Sequence, residues 1–440
     1  TLDVLETRAK TLNLEMKVVD IMEKDKTLNS IFDLDNIVPN DLCNIIFQYP
    51  DTYGDIYIPD KYLKYAQENN ILTTAITDLL ALTKIKAPGE LGINIALGNS
   101  QRFGVPLWYG GPHPAFFSVS KELLRLVPGR IIGLSKDKNG DKSFRLALQT
   151  REQHIKRQAA TSNICTSQSL LTNVVSMYCI YNGPEGLTKK ADSIIDKTKY
   201  LANKLNVNIV NENFFDTITF TMSNPDILIN YLKHKHILLR KNRNNSLSIT
   251  IDETITYEDL DKLIDFINQY HIHTDLLNLI SYKSNNQNYK YIIDKELYRN
   301  TDFLTQEIFN KYNTETELLR YMNQLALKDY TLCNGMIPLG SCTMKLNATY
   351  QLEPLLWDKV ANVHPFVPKE FSLGYQELIE KTGNYLKMDK SFGGDIRYAY
   401  VVDDKDTNFL LLDSSDDEII LAGNRTDQWD IYYAGSPNTA

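Results

Sequence analysis

The chain has 440 residues, a formal net charge of −8, and 43% hydrophobic against 23% charged residues. This composition predicts a folded protein with an ample core, and it excludes a small disulfide-rich scaffold, a coiled coil and a disordered chain. The acidic balance does not favour a nucleic-acid-binding surface. No apolar run approaches the roughly 20 residues of a membrane helix, so we expect neither nucleic acid nor a membrane as a partner.

The negative charge is concentrated near the end of the chain. Between Asp389 and Asp430 the sequence has 11 acidic and 4 basic residues, so the body before this tail is close to neutral. The five cysteines form no CxxC pair, and the seven histidines do not stand at ligand spacing from them. We therefore expect free thiols in a reducing compartment, no secretion and no metal site. Because the first residue is Thr1, we expect that a start was removed or that the chain is part of a longer one.

The first 150 residues alternate between strand and helix patterns. Strands are predicted at residues 42–50, 71–82, 92–101 and 103–111, and a helix is predicted at residues 60–70. Such alternation is typical of a largely parallel α/β sheet. Ligands of these sheets bind beyond the carboxyl ends of the strands.

The rest of the chain divides by composition. A helical pattern extends from about residue 150 to 182, and a second one ends near Leu205. Residues 206–275 predict a smaller α/β unit with four short strands, followed by a helix that Thr256 and Asp259 open as a capping box. A polar, Asn-rich connector then precedes a helix at residues 315–329, and the acidic tail predicts short strands.

Residues 100–113, SQRFGVPLWYGGPH, follow a predicted strand and form the first candidate site. The Gly110-Gly111 turn allows a backbone to approach a ligand closely. A plain structural turn is the alternative.

Residues 145–157 form the second candidate site. Thr150 can cap a helix on which Arg151, His154 and Arg157 share a face at positions i, i+3 and i+6. A helix start with adjacent arginines suits a phosphate or a carboxylate. A solvated basic face explains the same pattern.

Residues 336–347, MIPLGSCTMKLN, form the third. The polar groups there belong to Ser341, Thr343, Lys345 and Asn347, with the thiol of Cys342 between them, and so dense a set on a turn is typical of a loop that lines a site. Cys342 is a reactive thiol or a small buried filler, and Lys345 forms a Schiff base only if it is desolvated. With no Ser-His-Asp order, Walker A loop or GxGxxG motif, spacing alone indicates an α/β protein with an anion site.

Several long segments resemble the P-protein of the glycine cleavage system, the pyridoxal-phosphate-dependent glycine dehydrogenase (decarboxylating). The segments that carry the resemblance include FQYPDTYGDI, TDLLALTKIKAPGELGINIALGNSQRFGVPLWYGGPHPAFF, RLALQTREQHIKRQAATSNICTSQSLL and ETELLRYMNQLALKDYTLCNGMIPLGSCTMKLNA. Together they extend over about residues 1 to 386. The resemblance implies an α/β fold of the fold-type I pyridoxal phosphate (PLP) enzymes, with a large parallel-sheet domain and a smaller α/β domain in each of two halves.

This resemblance also implies a division of the chain. The predicted parts are a partial large α/β domain of the N-terminal half (residues 1–185), its small α/β domain (186–280), a connector (281–316), the start of the C-terminal half (317–386) and an acidic tail without resemblance (387–440).

The implied activity is decarboxylation of glycine with transfer of the aminomethyl group to the lipoyl H-protein. PLP serves as the electron sink of that reaction. The implied partners are glycine, the H-protein, and a second copy or another P-protein chain, in the cytoplasm or the mitochondrial matrix. The residues that we assign to the cofactor on this resemblance are Ser341, Cys342, Thr343, Lys345, Arg151 and His154.

The sequence departs from the family at the Schiff-base lysine, which lies in the C-terminal half of relatives. No such lysine segment occurs here, and in the N-terminal half Gln101 stands at the corresponding position. Asp78 stands near the place of the carboxylate that pairs with the pyridinium, although it also fits a plain strand-end turn. Smaller departures from the family pattern are Asn94, Asn313, Asn334 and Gly335.

We therefore expect a chain that does not decarboxylate glycine alone. Three interpretations remain open: a truncated or split glycine decarboxylase, a non-catalytic subunit that pairs with a complete P-protein, and another fold-type I enzyme such as an aminotransferase.

Overall fold

The computed structural model describes residues 2–18, 41–127, 131–147, 155, 157, 169–222, 224–276, 289–290, 292–328, 349–388, 398–401, 408–412 and 419–424. Two compact units divide the chain. The smaller unit comprises Thr1–Ile37 and Pro368–Ala440, and the larger comprises Val38–Val367. The smaller unit begins with helix α1 (Leu2–Thr11).

A four-stranded sheet opens the larger unit. Its strands are β1 (Asn44–Tyr49), β2 (Leu72–Thr77), β3 (Ile95–Asn99) and β4 (Ala115–Val119), in the order β1-β2-β3-β4. The first three strands are parallel, and β4 is antiparallel to β3. Helix α2 (Asp60–Glu68) connects β1 to β2. The predicted α/β class and the first three predicted strands are confirmed.

The strand predicted at residues 103–111 is wrong. Residues 101–104 and 108–110 form turns, and Trp108, Tyr109 and Gly110 have φ values of 43°, 54° and 86°. Three successive left-handed residues do not fit the extended backbone of a strand. Phe103 and Val105 of this segment are buried, so its apolar residues pack around a turn and not along a strand.

A hairpin and a long helix follow. Strands β5 (Ile131–Lys136) and β6 (Lys142–Ala147) pair antiparallel with each other. Helix α3 (Ser169–Lys204) has a kink at Gly183, which precedes Pro184. The kink divides the helix where the sequence predicted the junction of two helices.

The second sheet of the larger unit is antiparallel. Its strands are β7 (Asn208–Ile209), β8 (Thr217–Thr221), β9 (Arg240–Lys241) and β10 (Leu247–Thr250), in the order β7-β8-β10-β9, with helices α4 (Pro225–Lys233) and α5 (Tyr257–Leu276). The predicted capping box opens α5, because the Asp259 N–H donates to Thr256 Oγ1 at 3.2 Å and the Thr256 N–H donates to Asp259 Oδ2 at 3.1 Å.

One hydrophobic cluster contains residues from both sheets of this unit. Tyr49 of β1 belongs to it, as do Phe214, Phe215 and Phe220 beside and within β8, and all four are buried. Helix α3 adds a buried stripe with Ile194 at its centre. The carboxyl edge of the first sheet therefore faces the start of β8 across a shared core.

An irregular segment at residues 292–302 crosses from one sheet to the other. The Phe214 N–H donates to the Ile292 carbonyl at 2.8 Å, and the Arg299 N–H donates to the Lys84 carbonyl at 2.8 Å. We call residues 292–302 the strap. Helices α6 (Glu315–Ala326) and α7 (Asp358–Ala361) follow it in the larger unit.

The smaller unit also contains helix α8 (Leu373–Met388) and a three-stranded antiparallel sheet. The strands of that sheet are β11 (Tyr398–Val401), β12 (Asn408–Leu412) and β13 (Ile419–Asn424), in sequence order. Among the helices of the described ranges, none has the length and apolar character that crossing a membrane requires.

Candidate functional site at the carboxyl edge of the parallel sheet

The three parallel strands end at one edge of the first sheet. Tyr49 and Thr77 are register partners at the ends of β1 and β2, and Ile76 pairs with Leu97 of β3. Residues that directly follow these strands therefore lie close together. Asp78 follows β2, and Gln101 and Arg102 come soon after β3.

Arg102 is the centre of a cluster of charges at this edge. Its Nη1 lies 2.5 Å from Asp78 Oδ2 and 2.7 Å from Asp216 Oδ2. The exposed fractions of the three side chains are 21% for Arg102, 29% for Asp78 and 14% for Asp216. Since Asp216 directly precedes β8, the guanidinium joins the edge of the first sheet to the second. We call these three residues the edge cluster.

The two carboxylates of the edge cluster are also held by neighbouring groups. Asp78 Oδ1 accepts a hydrogen bond from the Leu80 N–H at 3.0 Å, and Asp216 Oδ1 accepts one from Thr217 Oγ1 at 2.9 Å. These bonds hold both carboxylates in place independently of the arginine.

Charge and burial act against each other within the edge cluster. Burial alone would lower the pKa of Arg102, but Asp78 and Asp216 raise the pKa above its ordinary value. Burial raises the pKa of Asp216, and Arg102 opposes this shift. The guanidinium therefore stays charged, and its charge is what permits an aspartate to remain buried beside it.

Gln101 is fixed by short local hydrogen bonds. Its side-chain Nε2 donates to the Pro106 carbonyl at 2.9 Å, and its backbone N–H donates to Asn99 Oδ1 at 2.7 Å. An amide in this position has no nucleophilic nitrogen, so Gln101 cannot form an imine with an aldehyde.

The left-handed loop at residues 108–110 binds a later part of the chain. The Trp108 and Tyr109 N–H groups donate to the carbonyls of Ala361 and Val363 at 2.9 and 2.8 Å. The indole Nε1 of Trp108 donates to the Leu355 carbonyl at 2.7 Å. Since all three donors belong to residues of the left-handed turn, the turn positions residues 355–363.

A second cationic group lies near the loop that follows β1. Arg240 Nη2 donates a hydrogen bond to the Thr52 carbonyl. Burial and the neighbouring Arg240 both lower the pKa of His364. His364 therefore favours the neutral imidazole in this surrounding.

The other predicted site residues remain predictions. Ser341, Cys342, Thr343, Lys345, Arg151 and His154 lie outside the described residues. Arg157 is described, and its φ of 49° shows that a regular α-helix does not continue through it. The helical face proposed for Arg151, His154 and Arg157 is thus wrong at its last member. In the described ranges, no group of three or more His, Cys, Asp or Glu residues is arranged to hold a metal ion.

Arg102 lies within the first candidate site at residues 100–113 but had no predicted role of its own, and Asp216 was not among the predicted site residues. Arg102 lies in a quoted motif, next to Gln101, and a lone arginine after a strand end was the available signal. Asp216 gave no signal, because its partner Arg102 is far away in the sequence.

Comparison with known proteins defines the class of this chain. The sequence model of the glycine cleavage system P-protein matches residues 1–267. The chain therefore belongs to the glycine cleavage system P-protein family.

Its relatives are glycine dehydrogenases (decarboxylating) described as mitochondrial. The one from Dictyostelium discoideum is 43% identical over 398 residues, which are 90% of this chain and 39% of that protein. The one from Solanum tuberosum is 42% identical over 392 residues, 88% of this chain and 36% of that protein. The chain thus spans about two-fifths of the length of these relatives. A crystal structure of an inhibitor-bound glycine decarboxylase (P-protein) is 28% identical, with a TM-score of 0.49, and the match covers 53% of this chain and 56% of that one.

The family implies PLP, and the described residues at this edge do not fit it. A PLP site needs a lysine for the aldehyde and commonly a carboxylate for the ring nitrogen. The resemblance places the lysine in the C-terminal half of relatives and predicts Gln101 at the matching position of the N-terminal half, where its amide donates to the Pro106 carbonyl. Asp78 is already paired with Arg102. No step through the cofactor can be assigned to this edge.

Proposed function

We propose that this chain serves the decarboxylation of glycine and the transfer of the aminomethyl group to the lipoyl H-protein, and that it does not perform them alone. Membership of the P-protein family supports the first part of the proposal. The second part rests on Gln101 and Asp78. The Gln101 side chain is an amide that cannot bind the aldehyde of a cofactor, and the Asp78 carboxylate, which could pair with a ring nitrogen, is paired with Arg102 instead. The chain acts as the cofactor-free partner of a chain that supplies the lysine.

The cofactor-free chain contributes structural support for an active site on another chain. Its own edge holds fixed, paired charges, which suit a stable scaffold better than proton transfer. The proposed partners are a P-protein chain with the lysine, glycine and the H-protein. A mitochondrial location is proposed from the relatives named above.

A glycine–bicarbonate exchange assay tests the proposal. Purified chain is incubated with PLP, lipoyl H-protein, glycine and labelled bicarbonate, alone and with a separately produced lysine-bearing half of the Dictyostelium relative. We expect no exchange by the chain alone, and exchange after the two are combined. Exchange by the chain alone, with the visible absorbance of lysine-bound PLP, would overturn the cofactor-free assignment.

The same mixture tests participation in the reaction. Association of the two chains is measured by analytical ultracentrifugation, and the lysine-bearing half alone is the control for exchange. If the chain neither binds that half nor changes its exchange rate, the chain has no part in glycine cleavage and the proposal is wrong.

A further inference from the structure

The edge cluster has features of a site for a flat cation. Two carboxylates from different sheets approach one guanidinium at 2.5 and 2.7 Å. The ring of Phe215 lies beside the same cation, with its centroid 5.7 Å from Arg102 Cζ. Paired carboxylates and an aromatic ring are groups that bind a planar, delocalised cation.

The site is also part of the rigid frame of the larger unit. Asp78 and Asp216 are held by the Leu80 N–H and by Thr217 Oγ1 independently of the arginine. Phe215 is buried in the core between the sheets. Removal of the Arg102 side chain would therefore leave two fixed carboxylates and a ring around an empty volume.

We propose that Arg102 occupies, from within the chain, a binding site for planar cations such as guanidinium or a protonated heterocycle. The chain thereby supplies its own counterion to Asp78, and this explains why the described edge does not fit PLP. This inference goes beyond the proposed function, since it concerns what fills the edge and not what the chain does in glycine cleavage.

Chemical rescue of an Arg102→Ala variant tests the proposal. Thermal unfolding of the full chain is followed with about 20 mM guanidinium, tetramethylammonium or sodium as chloride salts at equal ionic strength. We expect the substitution to lower the melting temperature, and guanidinium to restore at least about 2 °C more than either other cation. The unsubstituted chain shows no such difference.

Two control variants separate a site from a general salt effect. Arg102→Met fills the volume without charge, so guanidinium should not stabilise it selectively. Lys84→Ala removes a different ion pair, Lys84 with Asp192 at 2.6 Å, and guanidinium should not rescue this variant either. Equal effects of the three cations on Arg102→Ala, or equal rescue of Lys84→Ala, would overturn the proposal.

An Arg102→Lys variant keeps the proposal testable if Arg102→Ala does not fold. Both carboxylates contact the single nitrogen Nη1, whereas Nη2 lies 3.5 Å from the Ile251 carbonyl and the flat guanidinium lies over the Phe215 ring. An ammonium on the shorter lysine side chain has neither the second nitrogen nor the flat face. A neutral substitution that folds, such as Arg102→Gln, is the reference. We expect Arg102→Lys to lower the melting temperature by at least half as much as Arg102→Gln does. Full stability of Arg102→Lys would show that any positive charge suffices, and it would contradict a planar-cation site. Because every readout is unfolding and not glycine turnover, this inference and the proposed function can fail separately.

Discussion

The charge state of Asp55 depends on the fold. Burial and the neighbouring carboxylate of Asp51 raise the pKa of Asp55 to about 6. Its unfolded value is near 4, so folding takes up a proton between about pH 4 and 6. An acid whose pKa is raised by folding contributes stability at low pH that is lost as the pH rises through the folded pKa.

An Asp55→Asn substitution should therefore flatten part of the pH dependence of stability. The amide still accepts the hydrogen bond from the Glu212 N–H, which reaches Asp55 Oδ1 at 3.3 Å. We expect the variant to lose less stability than the unsubstituted chain between about pH 4 and 6.5. Urea unfolding midpoints across this range measure the effect, with the exposed Glu68→Gln as control. An unchanged slope in Asp55→Asn would show that Asp55 does not titrate in this window.

At the scale of elements, the sequence patterns predicted those helices and strands that depend on residues close together in the chain. Strands β1 to β3, strands β7 to β10 and the helix at Glu315–Ala326 follow from apolar periodicity and from caps. The turn at residues 108–110 was missed because its left-handed backbone depends on bonds to Ala361 and Val363. Gln101 was found by resemblance, whereas the pairing of Arg102 with Asp216 comes from the packing of two sheets and has no local signature.

The start of α6 provides a direct test of a local signal. Thr314 Oγ1 donates to Glu317 Oε2 at 2.8 Å and accepts from the Glu317 N–H at 3.4 Å. We expect Thr314→Ala to cost about 1 kcal/mol of unfolding free energy, because one end of the helix loses its cap. The matched Thr314→Ser keeps the capping hydroxyl, so its unfolding free energy should change little. Chemical denaturation monitored by circular dichroism distinguishes the two, and equal losses would mean that packing of the threonine methyl, not capping, is responsible.

At the scale of the whole molecule, the strap makes the two sheets of the larger unit depend on each other. It bonds Phe214 beside β8 at one end and Lys84 beyond β2 at the other. Segments that contact two substructures tend to make them unfold together.

The Arg299 side chain is the place to test this coupling. Its Nη1 donates to the Leu82 carbonyl at 2.8 Å, and its Nε donates to the Thr301 carbonyl at 2.8 Å. We expect Arg299→Ala to lower the unfolding free energy by about 1.5–3 kcal/mol, which is the usual range for a hydrogen bond to a charged group. Tryptophan fluorescence and circular dichroism should still report one transition. Two separated transitions in the unsubstituted chain would contradict the coupling of the sheets. The Arg299→Lys variant is the control, because it shows how much of the loss in unfolding free energy depends on charge alone.

The edge cluster also determines how the larger unit responds to salt. Surface pairs such as Lys241 with Asp226, in which the aspartate side chain is 69% exposed, lose their attraction at about 1 M salt, where the Debye length is about 3 Å. The contact of Arg102 with Asp216 is shielded by the protein and sits within hydrogen-bond distance, so dissolved ions screen it far less. The attraction between Arg102 and Asp216 that joins the two sheets therefore persists at high salt concentration. The attraction within exposed ion pairs, by contrast, weakens as the ionic strength rises.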